Sequence, residues 1–365
     1  MANHGVWSKA KLVEENVPKT NQNNWISRYR GALASGIGGL ICLCLFALFG
    51  SAVITMSGES HDNEPISPIP FKTMLDEKKV KLGEALFSDD RLSGSNGVSC
   101  SSCHLFERDL SDGIPISGSL PGTIGTTRTL SLFNVGLNSK IGWAGQFLTL
   151  EQQAIAVVQD KSRMGGKWED VVASLRTDLV LNKAFNEIYK DGLKRDNVVD
   201  ALVEYEKSLN TPNAPFDRYL RGDESAIDQR SKDGYRLFKD YGCASCHQGV
   251  NVGGNMLQVF GIFGEPQAAL KGPRTPGAAQ GSGIDDSRPV FRVPSLRNVA
   301  ERPPYFHDGS APTLTDAIGK MARYQLGRNI SDEDVGKIEA FLNSLSGEYH
   351  GVPVGKLAGG GDGHY

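Results

Sequence analysis

Hydrophobic residues fall into two patterns along this chain, one continuous run and several periodic stripes. Residues 31–56, GALASGIGGLICLCLFALFGSAVITM, are 26 residues without a charge. As a helix this run would extend ~39 Å, enough to cross a ~30 Å hydrocarbon core with some tilt. Lys9, Lys11, Lys19, Arg28 and Arg30 precede it, and Glu59, Asp62 and Glu64 come after it. That bias predicts a cytoplasmic leader over 1–30, a transmembrane anchor over 31–56 and the remainder across the membrane. A cleaved secretory signal is the competing reading, and both readings export the rest of the chain.

The stripes come in two matching sets. Lys81-Leu-Gly-Glu-Ala-Leu-Phe87 and Asp233-Gly-Tyr-Arg-Leu-Phe238 each predict a short amphipathic helix with a Leu-Phe pair on its apolar face. Val198, Leu202, Val203, Tyr205 and Leu209 predict a later helix in the first set, stopped by Asn210-Thr-Pro212. Val335, Ile338, Phe341, Leu342 and Leu345 predict its counterpart, started by Ser331 and closed by Gly347. Long Gly- and Pro-rich loops lie between, such as 272–289. Asn63-Glu-Pro-Ile-Ser-Pro-Ile-Pro70 reads as a semi-rigid spacer ahead of both sets.

Between the paired helices of each set lies a Cys-x-x-Cys-His run: Cys100-Ser-Ser-Cys103-His104 and Cys243-Ala-Ser-Cys246-His247. This is the attachment signature of a c-type haem, two thiols bonding the porphyrin and the His ligating iron. From this composition chance would give about 0.002 such runs. A zinc knuckle or a disulfide pair is the competing reading. The other two cysteines, Cys42 and Cys44, lie in the apolar run, so no disulfide framework remains. With 39 basic against 42 acidic residues, nothing points to nucleic acid.

The expected fold is mainly α: two tandem cytochrome c-like domains, each with one covalent c-type haem, behind an N-terminal transmembrane helix. Its divisions are the leader (1–30), anchor (31–56), Pro-rich linker (57–75), N-terminal haem domain (76–225), C-terminal haem domain (226–350) and a flexible tail (351–365). The expected location is the bacterial inner membrane, with the haem domains in the periplasm.

From about Lys81 to Gly347 the chain resembles the bacterial di-haem cytochrome c peroxidases and the related MauG-type enzymes. The resemblance rests on Leu82-Gly-Glu-Ala-Leu-Phe87, Arg91-Leu-Ser-Gly94, both haem motifs, Thr149-Leu-Glu-Gln-Gln153, Phe216-Asp-Arg-Tyr-Leu220, Phe291-Arg-Val-Pro-Ser-Leu-Arg-Asn298, Tyr305-Phe-His-Asp-Gly309 and Gln325-Leu326. It implies a peroxidatic N-terminal haem ligated by His104 and an electron-transferring C-terminal haem ligated by His247. Met321 falls at the family's distal methionine of that second haem, where MauG-type enzymes carry Tyr. Thioether ligation favours ferrous iron and raises the potential. Trp143 matches a family Trp between the haems, although its Trp-Asp-Gly-Arg signature reads Trp143-Ala-Gly-Gln146 here. His307 and Tyr305 are expected in the same region, with a structural loop hydrogen bond as the alternative for His307.

The first haem departs from the family. No His lies between His104 and His247, so the second His of the family's resting peroxidases is absent. The family's distal Glu lies in a Pro-Lys-Glu-Met run, which corresponds to Lys161-Ser-Arg163-Met164 here. Cleaving peroxide requires a group that takes and returns a proton, and a guanidinium stays charged. Arg163 can still stabilise departing hydroxide. Asp160 is the candidate replacement carboxylate, or else a solvated loop acid. The family binds calcium between its domains partly through an Asn, and Thr126-Thr-Arg128-Thr129 offers none, which leaves calcium doubtful.

The resemblance thus implies reduction of hydrogen peroxide to water. Electrons would come from a small c-type cytochrome, a cupredoxin or a membrane redox complex, through Met321/His247 and Trp143 to the His104 haem. One alternative is an electron-transfer subunit without peroxide turnover, with Lys161 or Met164 as a sixth ligand. Another is MauG-like oxidation of a partner protein.

Overall fold

The computed structural model describes residues 63–94, 97–117, 125, 127–264 and 290–359. The anchor expected over 31–56 lies outside them. Among the described residues no helix is long and apolar enough to cross a membrane. The longest has 14 residues, or ~21 Å against a ~30 Å hydrocarbon core. This corrects the inner-membrane location read from the sequence.

In the first half, α1 (Glu77–Phe87) starts at Asp76, whose carboxylate accepts from the Lys78 and Lys79 amides. Then come α2 (Leu150–Gln159), α3 (Trp168–Leu175), α4 (Leu179–Ile188) and α5 (Arg195–Ser208). A short helix, α6 (Pro215–Leu220), leads to the second half. There α7 (Gln229–Asp240), α8 (Leu314–Lys320) and α9 (Asp332–Asn343) repeat the plan. Ser331 caps α9 as expected, whereas the helix ends at Asn343 and Gly347 instead donates its amide to Asn298. Two small antiparallel ribbons complete the fold. Strand β1 (Leu257–Val259) pairs with β2 (Val290–Arg292), and β3 (Glu348–Tyr349) with β4 (Val352–Pro353).

Each haem motif sits at a crossing of the first and last helices of its half. Helix α1 crosses α5 at Gly83, where a Cβ would lie 2.0 Å from the Ala201 carbonyl oxygen. Helix α7 crosses α9 at Gly234, where it would lie 1.9 Å from that of Lys337. Only glycine permits so close a backbone approach. The approach brings Phe87 onto Tyr205 (ring centroids 5.2 Å apart) and Phe238 onto Phe341 (5.1 Å).

The two apolar cores exchange segments. Ile66 and Ile69, expected in a spacer, are 2% and 1% exposed, and Ile66 packs in the second core with Phe216 and Phe341. Arg221 and Arg297 donate to the carbonyls of Ile69 and Ser67, and Gly249 donates to that of Pro65. Conversely Tyr349, Val354 and Leu357, which come after the last helix, are buried in the first core. The residues after 350 therefore do not all form the loose tail that the sequence suggested.

Leu357→Ala is expected to cost about 2–5 kcal/mol, as for other buried leucines. Denaturant unfolding followed at the two haem Soret bands measures it, and the loss should fall first on the N-terminal haem. No change in midpoint would mean that the C-terminal segment is only laid against the first half.

Candidate haem sites

In both halves a 3-10 turn at the first cysteine folds the motif back on itself. The His104 amide donates to Cys100 O and the His247 amide to Cys243 O, each at 3.0 Å. His247 is buried and His104 half-buried, each against a Phe of the preceding helix, with Phe87 6.2 Å from His104 and Phe238 6.4 Å from His247. Nδ1 of His104 donates to Leu110 O at 2.8 Å, and Nδ1 of His247 to Val252 O at 3.4 Å. A carbonyl can only accept, so Nε2 carries the free lone pair in each ring. Burial lowers the pKa of both, that of His247 to about 4, so the neutral ligating form prevails. Left-handed backbone at Asp109, Leu110 and Val252 turns these carbonyls inward.

None of the four motif cysteines is in a disulfide. Among the described residues no group of three or more His, Cys, Asp or Glu is placed to hold a metal ion. A paired thiol set and a neutral imidazole suit a thioether-linked haem in each half better than the disulfide or zinc reading.

The second site opens into a cavity lined by Cys243, Cys246, His247, Met321, Leu342 and Phe260. Met321 begins a π-helical turn, Met321–Gln325, directly after α8. Gln325 fixes that turn: its amide donates to Val259 O, and its oxygen accepts from the Gly261 amide. The structure thus brings Met321 and His247, 74 positions apart by their numbers, to one cavity.

The same cavity continues past Trp143 to Ser111 and Thr129 of the first half. Trp143 is held at both ends. Its indole N–H donates to Arg128 O at 2.9 Å, and its own carbonyl accepts from the Arg292 amide at 2.8 Å. His307 lies edge-on to the indole at 6.3 Å and stacks on Phe291 at 4.6 Å. Its carbonyl accepts from the Arg128 amide, while Nε2 is buried without a partner. Tyr305 also lines the cavity.

Two buried guanidinium donors of residues lining this cavity, Nε of Arg128 and Nη1 of Arg292, lack a partner. Burial lowers both pKa values to about 10, so both residues remain cations at neutral pH. Orphaned cationic donors lining a cavity fit an anionic group, such as the propionates of a haem. They do not fit calcium. Where the resemblance places an Asn ligand, Arg128 instead sends Nη2 to Arg302 O at 3.2 Å. That is a positive charge where a cation would need oxygen donors.

At the first site Arg163 and Asp160 form an ion pair at 3.4 Å, about half exposed. The Asp160 carboxylate also accepts from the Ser162 amide and hydroxyl at 2.8 and 2.7 Å. The Arg163 charge reaches both Cys103 and His104, and Met164 is buried in the first core. The structure therefore brings Arg163 and Asp160 together beside the first motif, with Asp160 already engaged.

Sequence reasoning missed two buried acids. The Asp109 side chain is fully buried, with Arg302 Nη1 3.6 Å away and the Ser131 hydroxyl close enough to favour its charged form. Burial pushes its pKa up to about 7, which the Arg302 charge partly offsets. Glu206 lies on the inner side of α5, and burial pushes its pKa up to about 8. Laying the Leu209 stripe over the Leu345 stripe would have shown Glu206 opposite Leu342.

Comparison with known proteins agrees with this geometry. The di-haem cytochrome c peroxidase family matches residues 77–225, and the cytochrome c family matches 231–346. The cytochrome c peroxidase of Escherichia coli K12 is 41% identical over 297 residues, covering 79% of this chain and 62% of that protein's length. The cytochrome c551 peroxidase of Nitrosomonas europaea is 36% identical, covering 85% of this chain and 90% of that one. A crystal structure of a MauG-like protein associated with microbial copper homeostasis shares the fold, with a TM-score of 0.66 at 24% identity over 81% of this chain and 95% of that one. With two tandem cytochrome c-type domains and two c-type haems, the chain belongs to the di-haem cytochrome c peroxidase family of oxidoreductases.

Proposed function

We propose that this protein reduces hydrogen peroxide to water at its N-terminal haem, with electrons entering at the C-terminal haem from a small c-type cytochrome or a cupredoxin. The observation that carries this reading is the single cavity running from Met321 and His247 past Trp143 to Ser111, one residue beyond the carbonyl that orients His104. A cavity lined from both halves sets the second site against the first half, as electron passage between them needs.

In this reading Cys100, Cys103 and His104 would hold the first haem, and Cys243, Cys246, His247 and Met321 the second. Bound haem iron supplies peroxide binding and electron storage. Trp143, fixed at both ends, shortens the gap between the two groups. Arg128 and Arg292 hold negative charge on the cofactor edge. Reduction of one peroxide consumes two electrons and two protons and yields two waters. Arg163 donates to the oxygen that leaves and stabilises its charge there, while water reaching this half-exposed site brings the protons. Asp160, paired with Arg163 and Ser162, orients the guanidinium.

The Arg163–Asp160 pair also favours a second reading, an electron-transfer subunit that does not turn over peroxide. A site without a free carboxylate loses the proton transfer that acid–base catalysis contributes, about 10²–10⁴-fold. Met321 gives no support to MauG-like oxidation of a partner, for which the resemblance implies Tyr.

Arg163→Glu is expected to raise peroxide consumption with a reduced cytochrome donor by about 10²-fold or more. Arg163→Ala should lower it by about 10-fold or more, as loss of a charge-stabilising donor does. Stopped-flow donor oxidation reads both. No turnover in the wild type and in Arg163→Glu would establish the electron-transfer reading instead.

Met321→His should lower the midpoint potential of one haem and abolish the methionine–iron charge-transfer band, leaving the other haem unchanged. Spectroelectrochemistry checks this. An unaltered pair of potentials would remove Met321 from the ligand set.

A further inference from the structure

The two halves repeat closely enough that one departure stands out. With Gly83 on Ala201 matched to Gly234 on Lys337, α5 and α9 fall into one register. Leu202 then corresponds to Ile338, Tyr205 to Phe341 and Leu209 to Leu345, all buried and apolar. In that register Glu206 takes the place of Leu342. Leu342, 3% exposed, lines the cavity of the second haem site beside Cys243 and His247. Glu206 is 8% exposed, and its Oε2 is buried without a hydrogen-bond partner. Its charge acts on Cys100, the first thiol of the N-terminal motif. A carboxyl where leucine packs in the twin site destabilises the fold and gains no hydrogen bond for that oxygen.

We propose that Glu206 is the proton store of the N-terminal haem: its carboxylate takes up one proton from solvent when that haem gains one electron, and releases it on reoxidation. Reduction removes one positive charge from the macrocycle beside Cys100, so a neighbouring carboxylate holds its proton more tightly in the reduced state. Electron and proton arrive together, and the site's net charge stays constant.

The surroundings suit this role. Glu151 from α2 faces Glu206 and favours the neutral acid, and Lys207 on its own helix opposes. From α1 the nearby charge is Glu84, which acts on Tyr205 and Tyr349 instead. The turn Val135–Leu137 brings no charge, and the acids of α3, Glu169 and Asp170, are exposed. Burial puts the pKa of Glu206 at about 8, within reach of ordinary solution conditions. The proposal rests on the haem in this half and not on peroxide turnover, so it stands or falls separately from the peroxidase reading.

The test is the midpoint potential of each haem against pH, from pH 6 to 10, in the holoprotein and in Glu206→Gln and Glu206→Leu. In the wild type the N-terminal potential should fall with rising pH, by up to about 59 mV per unit for one proton per electron. Both variants should flatten that slope, and the C-terminal haem should behave alike in all three proteins. Equal N-terminal slopes in wild type and variants would overturn the proposal. Should Glu206→Leu fail to take up haem, the isosteric Glu206→Gln decides alone. Infrared difference spectra on reduction give an independent reading: a protonated-carboxyl band should appear in the wild type and vanish in Glu206→Gln. A band that persists in Glu206→Gln would also overturn it.

Discussion

A small set of buried polar side chains fixes the two halves against each other, and the proposed path between the haem sites depends on it. Asn134 of the first half donates to Thr211 Oγ1 at 2.7 Å and accepts from the Thr211 amide at 2.9 Å. Asn298 of the second half donates to the same hydroxyl at 3.0 Å and accepts from the Gly347 amide. Asn251 closes the network on the carbonyl of Asn134 and on Ser295. Asn134, Thr211, Asn251 and Asn298 are each at most 1% exposed. Such a network is all-or-none: satisfied it rigidifies, and broken it leaves several buried groups unpaired. Asn138 accepts from Asn251, which ties the same clasp to the segment that leads to Trp143.

The exchange of apolar segments acts in the same sense. The chain passes first through the second core, with Ile66, then builds the first, then the second, and returns to the first with Val354 and Leu357. Neither core is complete without residues from the other end. Hinge motion between the halves would therefore expose apolar surface at two places and break the polar clasp at a third. A rigid junction is what electron passage over a fixed gap asks for. The buried Arg297–Asp217 pair, at 2.6 Å, ties the entering strap to α6 through Ser67 and adds to that rigidity.

Local features were legible in the sequence and remote ones were not. The haem motifs, the paired stripes and the Ser331 cap depend on spacing within a turn or two, and they emerge where expected. The burial of Ile66 and Ile69 was hidden because the Pro-rich run looks like a spacer until a surface receives it. Of the three arginines at the junction, Arg128 lies far in sequence from Arg292 and Arg302, and they gather only through β2 and the loop before Tyr305. Arg163 was visible as a break in a familiar run, but its pairing with Asp160 needed the turn after α2. Glu206 sat inside a helical stripe as the one polar member, a signal that becomes specific only when the halves are superposed.

A repeat gives both haems the same cradle, so what differs between them must come from the residues that break the repeat. Around the second site these are Met321, Arg128 and Arg292, a thioether and two buried cations lining one cavity. On the proposed assignment each of them favours ferrous iron, the thioether through its bond and the guanidinium charges through space. Around the first site the departures are acids, Asp109 and Glu206, both buried and both raised in pKa. An ionised carboxylate favours ferric iron, and a protonated one withdraws that preference. On these two proposals the second haem holds an electron at any ordinary pH, and the first takes one together with a proton. Peroxide reduction consumes electrons and protons in equal number, so a first site that couples the two would suit that chemistry where the resemblance puts Arg163 in place of the family's carboxylate.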